Sequence, residues 1–349
     1  MKDIWQYLKE TDRPIVMYGT GDGGDKIFAQ LDRYGIKVSG VFASDGFVRN
    51  RTFHGFQVMP YSKAREQFGD GMIILIAFGS SLPDVLERFF SLAARHETYA
   101  PEVPVAGGEV FDLSVYERDL PRIKRARELF CDKESIELYD EMTAYRLDGK
   151  MTHLAANLSS EDEAMKEILH PSSYRVTLDL GAYTGDTALK LIGHAPQIET
   201  VIALEPDAKN FEKLCRATSN TGKVEPHYAA AWDRREILTF RRGGGRGIRS
   251  SDGGKNVEVS GIPAQEFLNG RQVDFIKIDV EGAEKQAIFG CGEAIVAYRP
   301  EMQIALYHRS DDIYNIPLML DSFCERYRFY LRRYPYVPAW DLNLFCVPY

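Results

Sequence analysis

The stretch Val176-Thr-Leu-Asp-Leu-Gly-Ala-Tyr-Thr-Gly185 decides the fold of the second half of the chain. Its apolar run carries Asp179, and Gly181 and Gly185 then open a turn that feeds a helical stretch to about Ile192. Glycine in such a turn lets backbone approach a ligand that side chains would block. The free N–H groups at the start of the helix face the same place. A second strand, Thr200 to Glu205, ends on Glu205-Pro206. Ligands of open parallel sheets bind beyond the carboxyl ends of the strands. A carboxylate at Glu205 can accept hydrogen bonds from both hydroxyls of a ribose. The turn lacks the glycine spacing of a pyrophosphate site. The plain alternative is a tight strand–helix turn beside a solvated glutamate.

Further along, Asp274-Phe-Ile-Lys-Ile-Asp-Val-Glu-Gly-Ala-Glu284 reads as a buried strand running into Asp279 and a turn at Gly282. Asp279, Glu281 and Glu284 crowd one strand end, and like charges need a reason to gather. A cationic sulfonium, a metal ion or Lys277 would supply it. Acids favoured by a helix N-terminus explain Glu281 and Glu284 better than Asp279. By strand alternation Lys277 shares a face with Asp279, opposite Ile276 and Ile278. Asp279 and Glu281 are also the oxygen ligands open to Mg2+, at a spacing that is not diagnostic. His308 follows the next strand, Met302–Tyr307, and is a candidate general base. The alternative is a strand-end histidine bonded to backbone.

From about Tyr174 to Tyr349 the chain resembles the FkbM-type family of S-adenosylmethionine-dependent methyltransferases. The resemblance rests on Leu178–Thr187, Leu204-Glu-Pro-Asp-Ala-Lys-Asn-Phe211, Ala229-Ala-Ala-Trp-Asp233 and Phe275–Glu284, in that order. It implies that Asp179, Gly181, Ala182, Tyr183 and Gly185 hold the methionine part of the cofactor, and that Glu205, followed by Pro206, holds its ribose. Ala231 and Trp232 would lie near the adenine. Asp279 would border the methyl donor and the acceptor, with Lys277 pairing to it or orienting the acceptor. The family often has Asn where Tyr183 stands, and an acidic residue shortly before the position of His308. Both departures bear on the acceptor chemistry more than on the cofactor.

The first half opens in the same style. Strand Ile15–Tyr18 leads into Gly19-Thr-Gly-Asp-Gly-Gly24, a helix to Tyr34, and a strand from Val38 to Asp45. Gly19, Gly21, Gly24 and Asp45 fit the dinucleotide fingerprint, which taken alone is weak. Phe53-His-Gly-Phe-Gln-Val58 resembles nucleotide-sugar-binding domains, with His54 read as a loop residue. Strands continue at Met72–Phe78 and Glu97–Tyr99. From Ser114 to His170 the strand signal gives way to helical spacing. The expected fold class is α/β: two Rossmann-like doubly wound sheets joined by a helical connector, the second a class I methyltransferase fold with an antiparallel C-terminal strand. The expected divisions are 1–113, 114–172 and 173–349.

A net charge of −8 gives no electrostatic reason to expect nucleic acid as a partner. No apolar run is long enough to span a bilayer, and the five scattered cysteines contain no Cys-x-x-Cys, so a cytoplasmic protein is expected. The basic loop Arg241–Arg249 reads first as a solvated hairpin tip, and second as a flap for an anionic acceptor. The leading expectation is O-methylation of a sugar or related hydroxyl. The alternatives are an NAD(P)-dependent sugar oxidoreductase run from the first half, and a non-catalytic nucleotide-sugar binder.

Overall fold

In the computed structural model, which describes residues 2–242, 248–249 and 256–349, the first sheet holds five strands. They are β1 (Ile15–Tyr18), β2 (Gly40–Ala43), β3 (Met59–Pro60), β4 (Ile73–Ile76) and β5 (Glu97–Tyr99). Their order is β3-β2-β1-β4-β5, and every pairing is parallel. β1 and β4 are buried along their whole length, as apolar strands inside a covered parallel sheet must be. Helices Asp22–Tyr34 and Pro83–Ala93 make two of the crossovers.

The second sheet holds β6 (Val176–Leu180), β7 (Thr200–Leu204), β8 (Val224–His227), β9 (Phe275–Ile278), β10 (Glu301–Ala305), β11 (Tyr327–Arg333) and β12 (Leu342–Pro348). The order is β8-β7-β6-β9-β10-β12-β11. β12 runs antiparallel to both of its neighbours, as expected of a C-terminal antiparallel strand. The chain leaves β6 toward β7 on one side and returns as β9 on the other. A crevice therefore opens at the carboxyl ends of β6 and β9, where open α/β sheets bind ligands. Register sets Lys277 directly across from Asp179.

The stretch Val224–Ala231 is two elements. β8 ends at His227, and Ala230–Ala231 pairs instead with Asn256–Ile262 in a separate four-stranded sheet. Where the chain leaves the main sheet, Trp232 N–H donates to the Ile262 carbonyl, at 3.1 Å. The tip of the basic loop, residues 243–247 and 250–255, lies outside the described residues.

The connector is more than a link. Helices Leu113–Arg127 and Lys133–Asp148 pack between the sheets, and Leu138, Tyr139, Met142 and Tyr145 are fully buried. One apolar cluster runs from Val16, Phe42 and Ile74 through these residues to Leu178, Ile276 and Ile304. Arg146 is buried with them. Its guanidinium pairs with Glu102 at 3.1 Å and donates to the carbonyls of Leu306, at 3.0 Å, and Ser310. Ser80 and Val337 exchange backbone hydrogen bonds from one half to the other. All five cysteines are unpaired. Among the described residues no helix is long and apolar enough to cross a membrane.

Candidate active site

At the end of β6 the backbone enters the left-handed region at Gly181, with φ +82°. A Cβ there would collide with the carbonyl oxygen of Asp279, so only glycine lets the ends of β6 and β9 meet. Tyr183 also sits at positive φ, +48°, where Asn or Gly would be strained less. Helix Asp186–His194 begins immediately after Gly185.

That turn presents the Tyr183 N–H to Glu205 at the end of β7. It donates to Oε2 at 2.9 Å, while the Asp207 N–H donates to Oε1 at 2.8 Å. Each carboxylate oxygen keeps a second lone pair. Burial raises the Glu205 carboxyl to about 7, and the two amide donors offset part of that effect.

Lys277 lies between two carboxylates, 3.6 Å from Asp179 Oδ1 and 3.8 Å from Asp279 Oδ2. Burial works against its ammonium charge, and Asp179 and Asp279 more than restore it, so the lysine stays charged. Asp179 is wholly buried, and neither of its oxygens has a hydrogen-bond partner. Burial pushes its carboxyl up, against the pull of Lys277. It places a carboxylate one layer behind the Gly181 turn.

His308 follows β10 and is 1 % exposed. Its Nδ1 is 2.8 Å from Glu284 Oε1, and its Nε2 faces Asp279 Oδ1 at 3.6 Å and Glu281 Oε2 at 3.8 Å. Burial opposes charge on the ring, but Glu284, Asp279 and Glu281 override it and lift the imidazole to about 9. Tyr307 Oη donates to Asp279 Oδ1 at 3.1 Å. Tyr307 did not stand out in sequence. Glu284 read as one of three crowded acids, and its pairing with His308 depends on a contact between distant segments.

These groups border one cavity of about 790 Å³. Gly181, Tyr183, Glu205, Pro206, Ala231 and Trp232 line it on one side, and Lys277 and Asp279 line its floor. Asp179 and Ala182 are buried behind the wall, and Gly185 packs against Leu214 and Thr218. Asp186 and Asn210 also line it, and sequence reasoning passed them over. The far wall comes from the first half, through Asp22, Lys26, Ser81 and Val105–Gly107. It is fixed by the Ala106 N–H donating to the His308 carbonyl at 3.0 Å, and by Lys26 donating to the Val105 carbonyl at 2.6 Å. No single motif could have announced a wall made by distant segments. A second cavity, of about 610 Å³, lies on the other side of Gly282 between Arg118, Asp119 and Arg309.

Of the ionisable side chains lining the larger cavity, seven are carboxylates and four are Lys or Arg. That balance suits a cationic ligand and works against an anionic one.

The glycine turn of the first half has another explanation. A Cβ on Gly19 would run into the Phe78 ring, and one on Gly23 would lie 2.8 Å from the Ala77 carbonyl oxygen. Gly24 packs against Phe53. The helix that follows opens with Asp22 and Asp25, whose charge opposes a pyrophosphate at its N-terminus. Asp45 accepts from the N–H and hydroxyl of Ser62 at the start of helix Tyr61–Phe68. His54 bonds Asp25 at 2.7 Å and stacks on Phe28. The spacing of a dinucleotide motif is there; Gly19 and Gly24 are close-packed on Phe78 and Phe53, whereas Gly21, at φ +119°, has open space where a Cβ would point.

Comparison with curated proteins gives no match. The chain is similar in structure to a methyltransferase FkbM from Methylobacillus flagellatus KT, at 17 % identity and a TM-score of 0.72, covering 97 % of this chain and 90 % of that one. It also matches the Aeropyrum pernix fibrillarin crystallised with S-adenosyl-L-methionine (14 % identity, TM-score 0.33, 52 % of this chain and 70 % of that one). A further match is a precorrin-6y C5,15-methyltransferase from Geobacter metallireducens GS-15 (11 % identity, TM-score 0.35, 57 % and 88 %). The first likeness shows that the fold of both halves recurs together. Residues 179–338 match the model of the methyltransferase FkbM domain, which begins at Asp179 and takes in Glu205, Asp279 and His308. Residues 179–338 of the chain thus carry a methyltransferase FkbM domain.

Proposed function

We propose that the chain uses S-adenosylmethionine to methylate a hydroxyl of an uncharged acceptor, a sugar or related polyol, held in the cleft between its two halves. The observation that carries the reading is the Gly181 turn. It fixes the Tyr183 amide on Glu205, leaves that carboxylate facing the cavity, and abuts Asp279. Glu205 would hold the ribose hydroxyls, and Ala231 and Trp232 the adenine. The excess of lining carboxylates suits a ligand that carries positive charge. The cofactor supplies a methyl group on a cationic sulfur.

The chain's own task is alignment and proton management. Asp279 borders the cavity with its side chain 32 % exposed, so it can meet an acceptor hydroxyl. We assign it the hydroxyl proton: a bound cofactor would supply the methyl group to the hydroxyl oxygen and keep the S–CH₃ bonding pair on its sulfur, and Asp279 would take the proton released. An imidazole lifted to about 9 already carries a proton at neutral pH and is a poor first acceptor, so His308 moves from base to positioning residue. Lys277 and Tyr307 hold the Asp279 carboxylate from two sides.

The acidic lining favours uncharged acceptors over the phosphorylated or nucleotide-linked sugars considered from sequence. The test is incubation with methyl-labelled cofactor and matched panels of neutral and phosphorylated sugars, read by mass spectrometry. Labelled product from neutral hydroxyl compounds is expected. Product only from the anionic panel, or only on nitrogen or carbon, would overturn the assignment.

A further inference from the structure

We propose that Asp279, Glu284 and His308 form a site for one divalent cation of the Mn2+ or Mg2+ type at the floor of the cleft. Each of the three offers a ligand atom, and these atoms lie within 4.8 Å of one another. Two ligand atoms, each about 2.1 Å from an ion, lie at most about 4.2 Å apart, so closing on an ion requires shifts of about half an ångström.

The side chains are built for more than each other. Glu284 is 99 % buried, as its 1 % exposure shows. Its Oε1 accepts from the N–H groups of Val280, at 3.1 Å, and Gly282, at 3.2 Å, and also meets His308. Its Oε2 is equally buried and has no hydrogen-bond partner. A buried carboxylate oxygen without a partner is costly, and a cation is what removes that cost.

Charge gives the second indication. His308 has three carboxylates around it, Glu284 at 2.8 Å, Asp279 at 3.6 Å and Glu281 at 3.8 Å. The two longer separations exceed a hydrogen bond, yet both fit ligand atoms sharing an ion. With the imidazole neutral and one ring nitrogen on the ion, the two charges of a divalent cation and that of Lys277 balance the three carboxylates.

One imidazole and two carboxylates suit Mn2+ best, with Mg2+ weaker, because a nitrogen ligand favours the transition metal. Asp279 and Glu281 border the cavity, so the ion's remaining positions face the cleft. An acceptor oxygen could take one of them while the second oxygen of Asp279 stays available to the hydroxyl proton. That last role rests on the methyl-transfer reading, whereas binding of the ion does not.

The test uses the full chain, stripped with EDTA and then dialysed. Free Mn2+ is followed by electron paramagnetic resonance during titration, with S-adenosylhomocysteine binding measured separately in EDTA. One saturable Mn2+ per chain is expected, displaced by Mg2+ at higher concentration. Asp279→Asn should weaken it at least about tenfold. That variant changes the most exposed of the three ligands, and a circular-dichroism melt checks its folding. His308→Gln is the second variant, with the same loss expected. No saturable Mn2+ in the folded wild type, or binding unchanged in a folded Asp279→Asn chain, overturns the site. If S-adenosylhomocysteine binds and Mn2+ does not, the ion fails and methyl transfer stands. The converse result spares the ion and removes the transferase reading.

Discussion

Lys277 on β9 stands directly across the sheet from Asp179 on β6, its ammonium 3.6 Å from a carboxylate that no hydrogen bond reaches. The pair ties the strand that opens the glycine turn to the strand that ends at Asp279. Removing the lysine alone would strand a buried negative charge. Lys277→Met should therefore lower the free energy of unfolding by about 3 kcal/mol, measured by urea denaturation. Asp179→Asn added to it should recover part of the loss.

Glu205 lies at about 7, above its ordinary 4.5, because of burial. A carboxyl raised in this way favours folding most when neutral. Its contribution to stability is complete below about 4.5 and fades as pH rises toward 7 and beyond. Ligand hydroxyls that donate to it favour the ionised form. S-adenosylhomocysteine should thus bind more tightly at pH about 8 than at about 6, by up to about tenfold. Glu205→Gln should bind weakly at both values, with that dependence gone. A slope that survives in the variant would assign the titration elsewhere.

The turn itself can be probed in two directions. Gly181→Ala forces a Cβ onto the Asp279 carbonyl at a φ that only glycine accepts comfortably, and should cost about 3 kcal/mol or more and abolish cofactor binding. Tyr183→Asn relieves a tyrosine held at φ +48° and should stabilise the unliganded protein by about 0.5–1 kcal/mol. Thermal melts of both variants check the pair.

Arg146 reaches from the connector to the chain beyond β10 while paired with Glu102, all of it buried. Arg146→Leu leaves Glu102 without its ion-pair partner and two carbonyls without their donor, and should cost about 3 kcal/mol. Because one apolar cluster spans both sheets, the chain should still unfold in a single transition by fluorescence and circular dichroism. Two separated transitions would show that the halves are independent.

Local chemistry was legible in sequence wherever a motif sits on one strand end. Asp179–Gly185, Glu205 and Asp279 read correctly as neighbours at a sheet edge, because parallel topology gathers strand ends. The Glu284–His308 contact was not legible, since it joins a helix start to a distant strand end. Nor was the cavity wall at Val105–Gly107, which reaches the site through the backbone of His308. The turn at Gly19 was legible as a turn and no further. Its spacing matches a nucleotide fingerprint, yet Phe78 and Ala77 account for Gly19 and Gly23. Spacing records that a backbone is approached closely and not what approaches it.

We infer that the β6–β7 edge holds S-adenosylmethionine with Glu205 as its ribose anchor. Titration calorimetry of that cofactor against the wild type and Glu205→Ala tests it most directly. One site per chain is predicted, weakened at least about tenfold in the folded variant. No binding to folded wild type, or undiminished binding to Glu205→Ala, would contradict the account.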